Sequence, residues 1–153
     1  MLFTIGYQKT SLPDLTRLLD ALGHDSMLID VRSSPRSKKA EFSQGNLANT
    51  FGARYAFAGE HLGGRKPVTK AGLLRLKKLS DEHNVIIMCM EHAPGDCHRH
   101  HAICAPHFED ALHIFEDMLI QASDLSEAMQ SKSDDIAISG STDDILAGAY
   151  LLA

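Results

Sequence analysis

Val85-Ile86-Ile87-Met88-Cys89-Met90-Glu91-His92-Ala93-Pro94-Gly95-Asp96-Cys97-His98-Arg99, running on through His107, is the stretch on which the fold turns. Its opening run is apolar and rich in β-branched residues, the pattern of a strand covered on both faces in a parallel sheet. Glu91 and His92 follow where such a strand leaves the sheet. Ala93 to Asp96 then makes a turn, with Pro94 and Gly95 setting the backbone angles. Cys97-His98-Arg99 restarts the chain as a helix that Asp96 is placed to cap. A strand, a tight loop and a helix start bring free N–H groups and a positive dipole end beside His98 and Arg99, which suits an anion.

Outward from this centre, strands and helices alternate. Leu2 to Ile5 reads as a first strand ending at Gly6-Tyr7, and Ser11 opens a helix whose leucines recur at helical spacing up to Gly23. Met27 to Val31 is a second strand that delivers Asp30 and Arg32 at its end. Residues 33–44 read as a polar, basic loop, 46–51 as a short helix, 54–57 as a third strand and 59–67 as a loop. A helix over 69–83 leads into the central strand, Pro106 limits the helix that follows it, and 111–115 is expected as the last strand. The expected fold class is α/β: a single domain with a mainly parallel β-sheet flanked by helices, built from βαβ units. We place that domain over residues 2–117. Residues 118–153 are expected to add one amphipathic helix (Met118, Ala122, Leu125, Met129), a Ser/Asp-rich linker over 131–144 and a short apolar end over 145–153.

The chain of 153 residues suffices for one proper core, and a net charge of −5 argues against a broad basic surface for nucleic acid. No run is long enough to span a membrane, and the N-terminus lacks a signal-peptide pattern. Three cysteines, two of them in the central stretch, argue against a disulfide framework, so a reducing cytoplasmic setting is expected. The oligomeric state is left open, and no cofactor is implied.

Several short motifs stand in one order: Thr4-Ile5-Gly6-Tyr7; Asp30-Val31-Arg32 with Pro35-Arg36-Ser37 and Phe42; Leu62-Gly63-Gly64; and Cys89-Met90-Glu91 with Cys97-His98-Arg99. Together they resemble the domain of unknown function 488 family (DUF488), over about residues 2–115. The family often has His-Ser-Asn where Tyr7-Gln8-Lys9 stands here. The resemblance implies a fold and a shared polar cluster, and no reaction.

In an open parallel sheet, ligands bind beyond the carboxyl ends of the strands. Asp30, Glu60-His61 and Glu91-His92 are expected at that edge, with Arg32, Arg36, Arg65 and Arg99 as substrate-binding residues. A guanidinium fork meets phosphate or carboxylate through two parallel hydrogen bonds. The expected catalytic residues are Asp30, Glu91, Cys97 and His98: Glu91 as acid or base at the exit of an apolar strand, Asp30 to orient Arg32 or act as a base. Cys97 has the electropositive setting of a reactive thiol, whereas Cys89 reads as a small buried hydrophobe. The competing account is a structural ion-pair network. His100, Cys104 and His107 share one helical face, but the spacing matches no standard zinc motif and Pro106 interrupts it, so no metal site is expected there. The expected function is an enzyme acting on an anionic small molecule, phosphorylated or nucleotide-like. The alternative is a non-catalytic nucleotide- or nucleic-acid-binding module, using the basic rim of residues 33–39, Arg65 and Lys66 with Tyr7, Phe42 and Tyr55 for stacking.

Overall fold

The computed structural model describes residues 1–131 and 140–141. Their strands are β1 (Leu2–Gly6), β2 (Met27–Asp30), β3 (Tyr55–Phe57), β4 (Val85–Cys89), β5 (Leu112–Phe115), β6 (Met118–Gln121) and the two-residue β7 (Gly140–Ser141). They form one sheet in the order β3-β2-β4-β1-β5-β6-β7. The first five run parallel, and β6 and β7 are antiparallel additions. β4 lies between β1 and β2 with all five residues buried, as its uninterrupted apolar sequence requires.

Alternate residues of each strand face opposite ways, so the sheet feeds two cores. Phe3, Ile5, Leu28, Ile86 and Met88 pack with Leu15 and Leu19 of α1 (Leu12–Ala21) and Leu47 and Phe51 of α2 (Gln44–Phe51). Leu2, Ile29, Val85, Ile87 and Cys89 pack on the other side with Leu62 of the one-turn helix α3 (Gly59–Leu62) and Leu76 of α4 (Lys70–Glu82). Connections from β1 to β2 and from β2 to β3 move toward one edge; those from β3 to β4 and from β4 to β5 move back. Right-handed crossovers then put the two pairs of connections on opposite faces. The first face carries α1 and α2; the second carries α4 and the segment after β4.

Local chemistry accounts for the boundaries. The Ser11 side chain accepts the Asp14 N–H, and that of Thr69 accepts the Gly72 N–H, so α1 and α4 each start on a side-chain cap. Within the segment expected as a loop, Gly59–Leu62 closes one helical turn.

Two expectations need correction. The segment after Cys97 is not an ordinary capped helix: Asp96 belongs to a 3-10 turn (Pro94–Asp96), Arg99–Cys104 is wound as a π-helix, and one α turn, α5 (Ala105–His107), ends it around Pro106. The wide winding turns Arg99, His100, Ile103 and Cys104 all inward and leaves His107 exposed. The helical face shared by His100, Cys104 and His107 therefore does not exist. The second correction concerns Met118 to Gln121, which is a strand. Met118 and Ala122 are four apart, so a helical period fits them equally well. The open edge of β5 decides the matter: a hairpin turning at Glu116 (φ 56°) pairs the strands and buries Leu119 and Ile120. The helix, α6 (Ala122–Ser131), starts only after it. The sheet thus continues past the expected boundary at Asp117. Of the expected linker over 131–144, only Ser131 and the Gly140–Ser141 pair are described, and the apolar stretch 145–153 lies outside the described residues. No described helix is long and apolar enough to cross a membrane.

Leu119 has no exposure and belongs to the first core. Leu119→Ala should lower the unfolding free energy by about 2–5 kcal/mol, read from urea titrations. An unchanged midpoint would show that residues after Asp117 do not belong to the folded body.

Candidate functional site

The chain leaves β1 toward one face and leaves β4, its neighbour, toward the other. Such a divergence opens a crevice beyond the carboxyl ends of the strands. A cleft of about 480 Å³ lies there, lined by Tyr7, Arg32, Ser33, Ser34, Arg36, Gly64, Arg65, Cys89, Met90, Glu91 and His98. Gly6 allows the two loops to meet, because a Cβ at that position would fall 1.7 Å from the Glu91 carbonyl oxygen. A narrower recess of about 270 Å³ beside it, lined by Lys9, Asp14, Arg17, His92 and Glu116 among others, has mixed charge and no thiol. The chemistry-bearing groups gather in the wider cleft.

Arg99 does not line it. Its side chain has no exposure, and its nitrogens are engaged: Nε donates to Thr4 Oγ1 (3.1 Å), Nη1 to the Glu91 carbonyl (2.6 Å) and Nη2 to the His92 carbonyl (3.0 Å). The expected role as an anion ligand gives way to a structural one, fixing the loop that carries Glu91. Thr4 is held in turn by a chain of buried groups. Its Oγ1 lies 2.7 Å from His113 Nδ1, His113 Nε2 lies 3.0 Å from His100 Nδ1, and His100 Nε2 lies 3.3 Å from Ser126 Oγ. The Ser126 hydroxyl donates to the Ala122 carbonyl, so His100 Nε2 must carry the proton that Ser126 accepts. His100 Nδ1 then accepts from His113 Nε2, and His113 Nδ1 accepts from Thr4. Each contact holds one hydrogen, and both imidazoles are neutral. Burial, aided by His101 and Arg99, pushes His100 down to about 4; burial, aided by His100 and Arg99, pushes His113 down to about 3.

At the floor of the cleft two thiols, an imidazole and a carboxylate converge. Glu91 Oε2 lies 3.1 Å from Cys89 Sγ and 3.2 Å from Cys97 Sγ, and His98 Nδ1 lies 3.8 Å from each sulfur. His98 Nε2 is within 3.0 Å of the Val31 carbonyl and 2.9 Å of the Leu62 carbonyl. Carbonyls only accept, so Nε2 carries a proton and Nδ1 is the atom turned toward the sulfurs. Gly64 passes over this ring so closely that a Cβ would lie 2.9 Å from Nδ1. Both cysteines are almost fully buried, and Cys89, not Cys97, lines the cleft. Cys97 is therefore no more accessible than Cys89. It is still the more acidic thiol: a hydrogen bond from Cys89 lowers its pKa against the opposing effect of burial, with His98 and Arg99 helping. Cys89, facing that thiolate and buried, is pushed up. The thiols and the charge of His98 outweigh burial at Glu91 and keep its carboxyl below the usual range. For His98, the neighbouring Cys97 and the two carbonyls outweigh burial and raise the pKa.

Asp30 and Arg32 form the wall. Arg32 donates through Nε (2.8 Å), Nη2 (2.6 Å) and its backbone N–H (3.2 Å) to the Asp30 carboxylate, which also accepts the Tyr55 hydroxyl at 2.7 Å. With no exposure and all these donors on it, Asp30 positions Arg32 and is not available as a base. Burial works against the Arg32 charge, but Asp30 and then Tyr7 outweigh it and raise its pKa. Arg32 Nη1 is buried without a hydrogen-bond partner. The Tyr7 ring lies 5.1 Å from the guanidinium carbon and stacks on Phe42 at 4.6 Å, so neither ring is free to stack on a nucleobase. Arg36 and Arg65 are exposed at the rim, whereas Glu60 and His61 lie outside the lining and His61 meets Thr69 instead. Sequence reasoning missed Cys89 as a site residue because its place in an apolar strand reads as packing. The contribution of the Val31 and Leu62 carbonyls has no sequence signal at all.

Comparisons with protein families, with curated proteins and with solved structures find no match. By fold and site, the chain is an α/β protein with a doubly wound, mainly parallel sheet and a thiol–imidazole–carboxylate cluster at its strand ends.

The neutral histidine pair sets a pH dependence. Both folded pKa values lie below the ordinary 6.5, so the stability they confer is complete above pH 6.5 and lost as pH falls toward 4 and then 3. Between pH 6.5 and 4.5 the unfolding free energy should fall more steeply in the parent than in a His100→Asn/His113→Asn protein. The excess slope approaches about 1.4 kcal/mol per pH unit for each histidine. Parallel slopes in chemical denaturation would mean that the pair is not held neutral.

Proposed function

We propose that this protein is a DUF488-like enzyme that binds an anionic small molecule, phosphorylated or nucleotide-like, in the cleft at the strand ends. The observation that supports it most is Arg32: a buried guanidinium aimed by Asp30, with one nitrogen still lacking a partner, in a cleft whose rim adds Arg36 and Arg65. Arg36 and Arg65 at the rim, with Arg32 already ion-paired to Asp30, stand against the single lining carboxylate of Glu91. An oxyanion supplies the missing acceptor and balances that charge, and bidentate contact favours phosphate or carboxylate. Glu91 and the Cys89–Cys97–His98 group beneath the anion carry the chemistry, with Asp30 as a positioning residue. The buried, stacked Tyr7–Phe42 pair is not available to stack on the bases of a nucleic-acid strand, which speaks for the small-molecule reading.

Inorganic phosphate and nucleoside phosphates should raise the melting temperature above that in chloride of equal ionic strength, since a ligand of the native state alone stabilises it. Arg36→Ala/Arg65→Ala should lose that increment, and Glu91→Gln should keep it. An equal increment in the double arginine variant would place the anion elsewhere. Incubated with a metabolite extract, the parent should consume an anionic compound that Glu91→Gln binds and leaves unchanged. Recovery of the bound compound unchanged from the parent as well would overturn the catalytic part of the reading.

A further inference from the structure

The cluster at the cleft floor contains more electron-pair donors than hydrogen bonding explains. Cys89 Sγ, Cys97 Sγ and His98 Nδ1 lie within 4.8 Å of one another, and Glu91 Oε2 is within 3.2 Å of both sulfurs. When His98 is neutral, its proton is on Nε2, so Nδ1 presents a lone pair. Two sulfurs, a ring nitrogen and a carboxylate oxygen then face one point, with only weak S–H donors to separate them.

We propose that Cys89, Cys97 and His98 bind a zinc-class divalent ion, with Glu91 at the fourth position on the side of the cleft. Two thiolates and an imidazole are soft and borderline ligands, which select zinc over magnesium or calcium. With metal–sulfur bonds of about 2.3 Å and a metal–nitrogen bond of about 2.0–2.1 Å, tetrahedral geometry separates sulfur from nitrogen by about 3.5 Å. The two observed sulfur–nitrogen separations are 3.8 Å, within a few tenths of an ångström of that value. The surroundings match what a metal-binding imidazole needs: its far nitrogen is fixed by two backbone carbonyls, which sets tautomer and ring plane. The Arg99 backbone N–H donates to Cys97 Sγ at 3.5 Å, an interaction that favours the thiolate a metal requires. Three protein ligands with one displaceable position is the composition of a catalytic zinc site, and here that position opens on the cleft wall that holds Arg32. The assignment places the metal site at Cys89, Cys97 and His98, where sequence spacing shows nothing, and not along His100 to His107. It rests on the ligand set alone and is independent of what the arginines bind.

The test uses the full chain, reduced and stripped of metal. Zn²⁺ titrated against a chromophoric chelator should bind at one ion per chain, and Co²⁺ should give a thiolate-to-metal charge-transfer band with the intense visible bands of a tetrahedral site. Cys89→Ser and Cys97→Ser should each weaken binding at least a hundredfold, Glu91→Gln should weaken it less, and His107→Ala should leave it unchanged. Serine variants that bind as the parent does, or a parent that takes up no stoichiometric ion, would overturn the proposal. Should a serine variant fail to fold, the cobalt spectrum of the parent decides, because a spectrum without the thiolate band overturns it as well. Arg36→Ala/Arg65→Ala should bind metal like the parent, so failure of the anion reading and failure of the metal site are told apart.

Discussion

Arg99 is the interaction on which the rest of this structure depends. It is a fully buried cation with no carboxylate in ion-pair range among the described residues, held by one hydroxyl and two backbone carbonyls. Taking a charge out of water costs several kcal/mol unless hydrogen bonds replace its hydration. The geometry supplies three such bonds, and two of them go to consecutive carbonyls of the segment that leaves β4. That segment is thereby pinned to β1 through Thr4, and Gly6 lets the backbones touch. The same charge acts at a distance: it favours the Cys97 thiolate and opposes protonation of His100 and His113.

The π-helix follows from the same constraint. A run of six residues, Arg99 to Cys104, must send a guanidinium to Thr4, an imidazole to His113 and two apolar side chains to the second core. An α-helical period spreads these four positions over a wider arc than a π-helical one does. Winding the segment more broadly brings both pairs inward, and irregular winding of this kind is often found where function needs it. Removal of the Arg99 side chain would expose the cost: two carbonyls and a threonine hydroxyl would be left buried without their donor.

The two walls of the cleft are built on different principles. On the β2 side, a single carboxylate takes four hydrogen bonds and holds one arginine rigid, so the charge there is positioned and nearly cancelled. On the β4 side, two sulfurs, a carboxylate oxygen and, when His98 is neutral, its Nδ1 lone pair are gathered at one place. The first arrangement suits recognition and the second suits chemistry. Parallel topology puts them within reach of each other, since β2 and β4 are paired in register with Asp30 opposite Met88.

Much of the fold was legible from local pattern. An apolar, β-branched Val85–Cys89 has the pattern of a strand covered on both faces, and alternating helical and strand periods then point to a mainly parallel sheet with its polar residues at one edge. Counting along strands places Asp30, Arg32 and Glu91 there, and the helix start after the turn places His98. What counting cannot supply is the partner of a group far along the chain. Thr4 and Arg99 are 95 residues apart, and His98 meets the carbonyls of Val31 and Leu62 at separations of 67 and 36. Met118 to Gln121 satisfied a helical period until the free edge of β5 made pairing the better use of its backbone. The sequence by itself determined the five parallel strands, the two longer helices between them and the edge of the sheet that collects charge, because those depend on side-chain periodicity. Only the tertiary structure decided that Arg99 braces the loop and does not line the cleft, that Asp30 is saturated, and that Cys89 joins Cys97. Each of these depends on a hydrogen-bond or packing partner that no local pattern encodes.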